Sequence, residues 1–300
     1  MKFVKMHGIG NDYVYIDAYG RPEIERRFAG TTGKAMIRHM SDRHTGIGSD
    51  GVILVCRPAP GDAAHVRMRM FNADGSEGIM CGNGIRCVAK FAHDRLKLRA
   101  NPMRVQTRRG TLSIDYRASR HGVTEATVDM GEPILEPSEI PVRTSSLTVE
   151  GATHRWGIVL DQLNLGFVAT FVSMGNPHAV VFEDGREEFT RQTLASVDLA
   201  RIGPVFERHA AFPDRINVHF AAPLGRSRVV MRTWERGSGT TQACGTGACA
   251  VLVAGVLTGR LNRRATLELP GGSLRVHWDQ RTNHVFMTGP AAEVFEGEWP

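Results

Sequence analysis

Phe71-Asn72-Ala73-Asp74-Gly75-Ser76-Glu77-Gly78-Ile79-Met80-Cys81-Gly82-Asn83-Gly84 and Trp234-Glu235-Arg236-Gly237-Ser238-Gly239-Thr240-Thr241-Gln242-Ala243-Cys244-Gly245-Thr246-Gly247 are one loop written twice. Each opens on an aromatic residue followed by a polar one. Each reaches Cys-Gly-x-Gly nine positions after the polar residue, and an apolar run follows. Positions 71 and 234 are 163 apart, and so are positions 81 and 244. Two Gly-rich loops of equal length at a constant offset read as a duplication. The duplication predicts a pseudo-symmetric fold that brings the two cysteines to face one another across one cleft.

Outward from each loop the same order recurs. Val66, Met68 and Met70 alternate with Arg67 and Arg69, a half-buried strand that delivers the first loop; residues 228–234 deliver the second. Residues 84–98 carry Ile85, Val88, Ala89, Ala92 and Leu96 on one helical face, and 247–258 form the matching apolar helix. Gly10-Asn11 and Gly175-Asn176, 165 apart, are turns between the strands 2–6 and 13–17 and between 167–173 and 179–182. Further strands are expected at 52–56, 103–107, 111–116, 123–130, 216–220, 264–269, 273–278, 284–288 and 292–296. Residues 20–34 read as a loop insertion, with short helices at 34–43 and about 190–201. Pro133, Pro137 and Pro141 place a linker near 131–141. The expected fold is α+β: two pseudo-symmetric domains, each a curled, mostly antiparallel sheet around a central helix. The domains span 1–130, completed by a strand near 289–300, and 131–288.

Composition narrows the function classes. The net charge of +6 is spread over scattered arginines, with no run longer than a pair, which argues against a nucleic-acid surface. The apolar run 248–257 is too short to span a bilayer, and Lys2 and Lys5 interrupt the only early apolar residues. Cytoplasm is the expected compartment, with no membrane partner. Five cysteines form neither a disulfide framework nor a zinc spacing, so no metal is expected. Cys56, Cys87 and Cys249 sit in apolar contexts and read as core. Gly33-Lys34 fails the wider phosphate-loop pattern.

A cysteine at a helix start sits beside orphan N–H groups and the positive end of the macrodipole, which lowers its pKa and favours an anion. Two such sites suit inversion at the α-carbon of an amino acid. One thiolate takes the α-proton, the other thiol returns one to the opposite face, and two helix starts hold the carboxylate without a cofactor.

On these residues the chain resembles the diaminopimelate epimerase family. The resemblance runs from His7-Gly8-Ile9-Gly10-Asn11-Asp12 through both cysteine loops and Gly175-Asn176-Pro177-His178 to Met287-Thr288-Gly289. It implies cofactor-independent interconversion of LL- and meso-diaminopimelate on the route to lysine and peptidoglycan. It makes Cys81 and Cys244 the acid/base thiols. Asn11, Asn72, Asn176, Asn217, Glu235 and Arg236 would hold substrate; Gly82, Asn83, Gly245 and Thr246 would hold the reacting carboxylate; His178 and Glu235 would tune the thiols. Pyridoxal phosphate is not required, the partner is the small-molecule substrate, and a homodimer is a candidate assembly. Departures from the family pattern are Thr240, where an acidic residue is common, Gly51, where some members carry Gln, and the longer stretch 20–34. Three alternatives stand beside this reading: a racemase acting on proline or hydroxyproline, a cysteine hydrolase with His178 as base, and a thiol switch.

Overall fold

A computed structural model describes residues 1–151, 154–183, 189, 192 and 194–300. They divide into two compact units, one of residues 1–129 with 288–300 and one of residues 130–287.

The first unit begins with strands β1 (Lys2–Gly8) and β2 (Asn11–Ala18), joined by a tight turn in which Ile9 and Gly10 take positive φ. Two helices follow, α1 (Pro22–Arg27) and α2 (Gly30–Ser41). The expected loop at 20–34 is therefore helical. Pro22 occupies the first turn of α1, where its missing N–H is no loss; Glu23 and Glu25 lie at the positive end and Arg26 and Arg27 at the negative end. Gly33 lets α2 close on the preceding turn: a Cβ there would lie 2.2 Å from the Phe28 carbonyl carbon. Strands β3 (Gly51–Cys56) and β4 (Val66–Asn72) lead into the first cysteine loop and helix α3 (Gly82–Asp94). Strands β5 (Met103–Thr107), β6 (Gly110–Ser119) and β7 (Gly122–Asp129) complete this part. A strand from the other end of the sequence, Ala292–Glu298, pairs antiparallel with β1.

Helix α3 is buried from Gly82 to His93 and touches all seven strands. Strands β2 and β3 are buried on both faces: Val14, Ile16, Val52 and Leu54 pack with Phe28, Ile37 and Met40 under α1 and α2, while Tyr15 and Ile53 meet α3. Burying such a side chain contributes about 1.5–3 kcal/mol, so this doubly covered pair anchors the unit.

The second unit holds β8 (Thr148–Val149), β9 (Trp156–Leu160), β10 (Leu165–Ser173), β11 (Pro177–Phe182), α4 (Leu199–Glu207), β12 (Asn217–Gly225), β13 (Arg228–Glu235), β14 (Gly239–Thr240), α5 (Gly245–Leu257), β15 (Arg264–Leu269) and β16 (Gly272–Trp278). Strand β17 (Val285–Pro290) runs across the boundary at 288. The expected helix at about 190–201 is replaced by a short 3-10 turn, Leu194–Ser196, and α4; residues 190, 191 and 193 lie outside the described residues. Asp198 caps α4 through the Arg201 N–H. Pro204 lies inside α4 and hid its extent from the sequence pattern. Phe167, Phe171, Val218 and Phe220 pack with Leu199, Ile202 and Phe206 on one face of the sheet. Helix α5 contacts β10, β11, β12, β15 and β16.

The pairing pattern repeats. β2–β3 is parallel, β3–β4 antiparallel, β4–β5 parallel and β5–β6 antiparallel. β11–β12, β12–β13, β13–β15 and β15–β16 repeat that series in the same order. The antiparallel majority holds, but each repeat inserts two parallel pairs. Among the described residues, no helix is long and apolar enough to cross a membrane.

Candidate active site

The aromatic residue that opens each loop is fixed from outside the sheet. Phe71 stacks on Phe28 at 6.2 Å, with the Arg69 guanidinium over its ring. Trp234 lies against Gly203 of α4, where a Cβ would come within 2.2 Å of the indole, and its Nε1–H donates to buried Glu207 at 2.7 Å. The sheet therefore sets where each loop begins, and the helix sets where it ends.

Cys81 is the N-cap of α3 and is half-buried. Its sulfur accepts the Gly84 N–H at 3.3 Å and its thiol donates to Asn11 Oδ1 at 3.2 Å. Asn11 Nδ2 donates in turn to Asp50 at 2.7 Å. Asp50 belongs to a charged set: Arg43 bridges Asp12 at 2.7 Å and Asp50 at 2.9 Å, and Lys5 reaches Asp12 at 2.6 Å. Burial alone would raise the Asp12 pKa, but the bonds from Arg43 and Lys5 outweigh it and hold the carboxyl below its ordinary range. Asn72 stands at the end of β4 with Nδ2 on Ser76 Oγ at 2.9 Å. Asn83 is buried, and its side-chain oxygen accepts from Arg86, a fully buried arginine that also donates to the Gly82 and Pro290 carbonyls. The Asn83 side chain thus braces the helix start.

Cys244 is the N-cap of α5 and is buried. Its sulfur lies 3.6 Å from Thr246 Oγ1. Thr246 Oγ1 accepts from Asn176 Nδ2 at 3.3 Å, and Asn176 Oδ1 meets His178 Nε2 at 2.9 Å. His178 Nδ1 meets His219 Nε2 at 2.8 Å, and His219 Nδ1 meets Thr233 Oγ1 at 2.9 Å. Burial pushes the Cys244 thiol well above its ordinary pKa, and the nearby Glu235 carboxylate adds to this; the Thr246 hydroxyl and Gly247 N–H pull the other way. The helix start was expected to lower this pKa; in the folded chain desolvation outweighs it. Glu235 accepts the Thr241 hydroxyl at 2.6 Å. Asn217 is buried, donating to the Pro177 carbonyl at 2.8 Å and accepting the Arg236 N–H at 2.9 Å. The Arg236 guanidinium is exposed, with Nη1 on the Asp214 carbonyl.

The first-unit candidates Asn11, Asn72, Cys81, Gly82 and Asn83 thus lie at the start of β2, the end of β4 and the start of α3. Asn176, His178, Asn217, Glu235, Arg236, Cys244, Gly245 and Thr246 gather around α5. Neither helix carries an acidic residue in its first turn, so nothing there competes with an anion for the N–H groups. Asp50, Arg86, His219, Thr233 and Thr241 were not read from the sequence. His219 had one signal: it lies two positions beyond Asn217 on β12, hence on the same face.

A family model for diaminopimelate epimerase matches residues 3–136 and 170–294. The diaminopimelate epimerase of Desulfovibrio desulfuricans is 47% identical over 300 residues, covering 100% of this chain and 98% of that protein. That of Methanococcus maripaludis is 45% identical, with 99% of each covered. Among solved structures, a probable proline racemase from Agrobacterium radiobacter with bound carbonate superposes with a TM-score of 0.70. It is 14% identical, covers 100% of this chain and 92% of that one, and so speaks to the fold alone. With a family model that spans both cysteine loops and full-length relatives at this identity, the chain belongs to the diaminopimelate epimerase family, an isomerase family.

Proposed function

We propose that this isomerase epimerises LL-diaminopimelate to meso-diaminopimelate with Cys81 and Cys244 as its acid/base pair. The observation that carries the mechanism is the repeat itself: each cysteine is the N-cap residue of a buried central helix, at the end of two loops of equal length that leave matching strands. One sulfur, as thiolate, removes the α-proton from one face. The other, as thiol, delivers a proton to the opposite face, and the roles exchange in the reverse direction. The α-proton is weakly acidic, so the developing negative charge needs fixed dipoles. The first turns of α3 and α5, at Gly82, Asn83, Gly245 and Thr246, supply them toward the carboxylate. The Glu235 carboxylate beside Cys244 can accept its proton as substrate displaces water, and His178 acts on the same sulfur through Asn176 and Thr246.

The unreactive end of the substrate carries a second ammonium and carboxylate. The exposed Arg236 guanidinium can fork that carboxylate, and Asn11, Asn72, Asn176 and Asn217 both donate and accept. Such a polar site discriminates against shorter amino acids, which leave its groups unpaired. The scattered charge supports a cytoplasmic enzyme of a small substrate, working without nucleic acid or membrane; a homodimer is part of the same reading.

Incubating reduced enzyme with LL-diaminopimelate in deuterated water and following the α-protons by NMR tests reaction and substrate together. The meso isomer should appear with deuterium at the one inverted centre. A folded protein with titratable thiols that neither exchanges nor inverts the substrate would overturn the reading.

A further inference from the structure

Among the described residues, the second unit buries two histidines in contact beneath the α5 helix start, and the two-thiol chemistry uses only one of them. His178 and His219 are both fully buried, with ring centroids 5.0 Å apart. Their hydrogens can be placed by elimination. Asn176 Oδ1 only accepts, so the His178 Nε2 that faces it must carry hydrogen. A neutral imidazole then has a bare Nδ1, so His219 must donate to it through Nε2–H. His219 Nδ1 is bare in turn and accepts from the Thr233 hydroxyl. Asn176 Nδ2 donates to Thr246 Oγ1, which leaves the Thr246 O–H for the Cys244 sulfur. Every donor in the series Thr233, His219, His178, Asn176, Thr246 points the same way.

We propose that His219 is a positioning residue for Cys244: it locks His178 in the Nε2–H tautomer, and through that tautomer orients Asn176 and the Thr246 hydroxyl toward the sulfur. The proposal rests on the reading of Cys244 as an acid/base thiol. Its physical basis is that a one-way chain of neutral groups places a positive hydrogen at the sulfur without burying a charge. Neutrality of both rings is secured by burial, which brings the His219 pKa down to about 3 and pushes His178 well below its ordinary value, with His219 and Arg236 adding to the effect on His178. His219 also seats the helix. A Cβ on Gly247 would lie 2.2 Å from the His219 Cε1, so the ring fills the space under the first turn of α5.

The test separates hydrogen bonding from packing. Long-range proton–nitrogen NMR of histidine-labelled protein should show a bare Nδ1 and protonated Nε2 on both buried rings, unchanged across the pH range where an ordinary histidine titrates. His219→Gln places an amide O–C–N where the ring has N–C–N, so it can still donate to His178 and accept from Thr233. It should keep kcat within about 3-fold, a loss of well under 1.4 kcal/mol. His219→Leu should free His178 to switch tautomer and lower kcat by on the order of 10- to 100-fold with little change in KM, as for lost orienting partners elsewhere. Near-isosteric Thr233→Val should shift the His219 Nδ1 resonance and act in the same direction, more weakly. An Nδ1–H tautomer or an imidazolium at His178 in the unsubstituted protein overturns the proposal, and that spectrum needs no variant to fold. So does a His219→Leu variant that loses turnover with the His178 tautomer intact, which would assign the effect to packing on Gly247. The tautomer is read without turnover, so failure of the two-thiol mechanism would appear separately, as persistent epimerisation by Cys244→Ala.

Discussion

Asn11 beside Cys81 and Asn176 near Cys244 occupy matching turns, yet they are held by opposite means. Asn11 is oriented by Asp50 within a set of four charged side chains, and its oxygen touches the sulfur directly. Asn176 is oriented by a neutral, buried histidine, and reaches its sulfur through Thr246. Duplication preserved the backbone device and the cysteine while the support around it diverged. The charges that orient Asn11 compensate one another, Arg43 and Lys5 against Asp12 and Asp50. Around the buried Cys244 the orienting groups are neutral, and the charge near it, Glu235, raises its pKa.

The comparison predicts that the two sulfurs are equally indispensable despite their unequal surroundings. Cys81→Ala and Cys244→Ala should each lower turnover in both directions by on the order of 10³-fold or more. A variant that loses only one direction of α-proton exchange would show that the units have taken separate roles. Next in size is chemical reactivity. In a Cys81→Ala background, alkylation of Cys244 should accelerate only above the ordinary thiol range near ~8.5, because burial and Glu235 both raise its pKa. Glu235→Gln should bring that transition down and Thr246→Ala should move it up. Glu235→Gln leaving it in place would remove Glu235 from the electrostatics of this sulfur.

Acid should separate the units more gently. The folded His219 pKa is about 3 against 6.5 for an ordinary histidine. Below 6.5 the unfolded chain binds a proton that the folded one refuses, so stability falls as pH drops from there toward about 3. The Asp12 carboxyl is depressed, so its contribution is present above its unfolded value of 3.8 and is lost only as pH falls further. Hydrogen exchange followed by mass spectrometry should therefore show α5 and β12 loosening at a higher pH than β1 and β2. Simultaneous loss would mean the histidine pair is not the acid-sensitive element. The smallest expected effect contrasts two glycines. A Cβ at Gly84 would come within 2.7 Å of the Ile53 side-chain tip, which can swing away, whereas at Gly247 it would meet a ring held by two hydrogen bonds. Thermal denaturation should show Gly247→Ala costing about 2–3 kcal/mol and Gly84→Ala about 1.

Much of this was readable from the sequence because the information was local. Alternation marked β4, the repeat of the loop marked β13, apolar runs marked α3 and α5, and the constant offset marked both cysteines. Stretch 20–34 was misread because Pro22 and Gly30 look like breakers, though proline is favoured in a first helical turn. The parallel pairs β2–β3 and β11–β12 could not be read, because strand patterning carries no direction. Their parallel register is also what sets His178 beside Asn217, and so brings the α5 face of β11 to His219. His219 became meaningful only once Thr233 and His178, 14 and 41 residues away, were placed around it.

The pairing of β1 with the strand Ala292–Glu298 has a consequence for biosynthesis. A ribosome releases Lys2–Gly8 first and their sheet partner some 290 residues later, roughly 15–60 s at ordinary elongation rates. The unit made from residues 130–287 is contiguous and can fold during that interval. The usual order of synthesis is thereby inverted: the half that is translated first is finished last. Until then β1 presents an open hydrogen-bonding edge, which makes the nascent chain a candidate client for chaperones that shield strands.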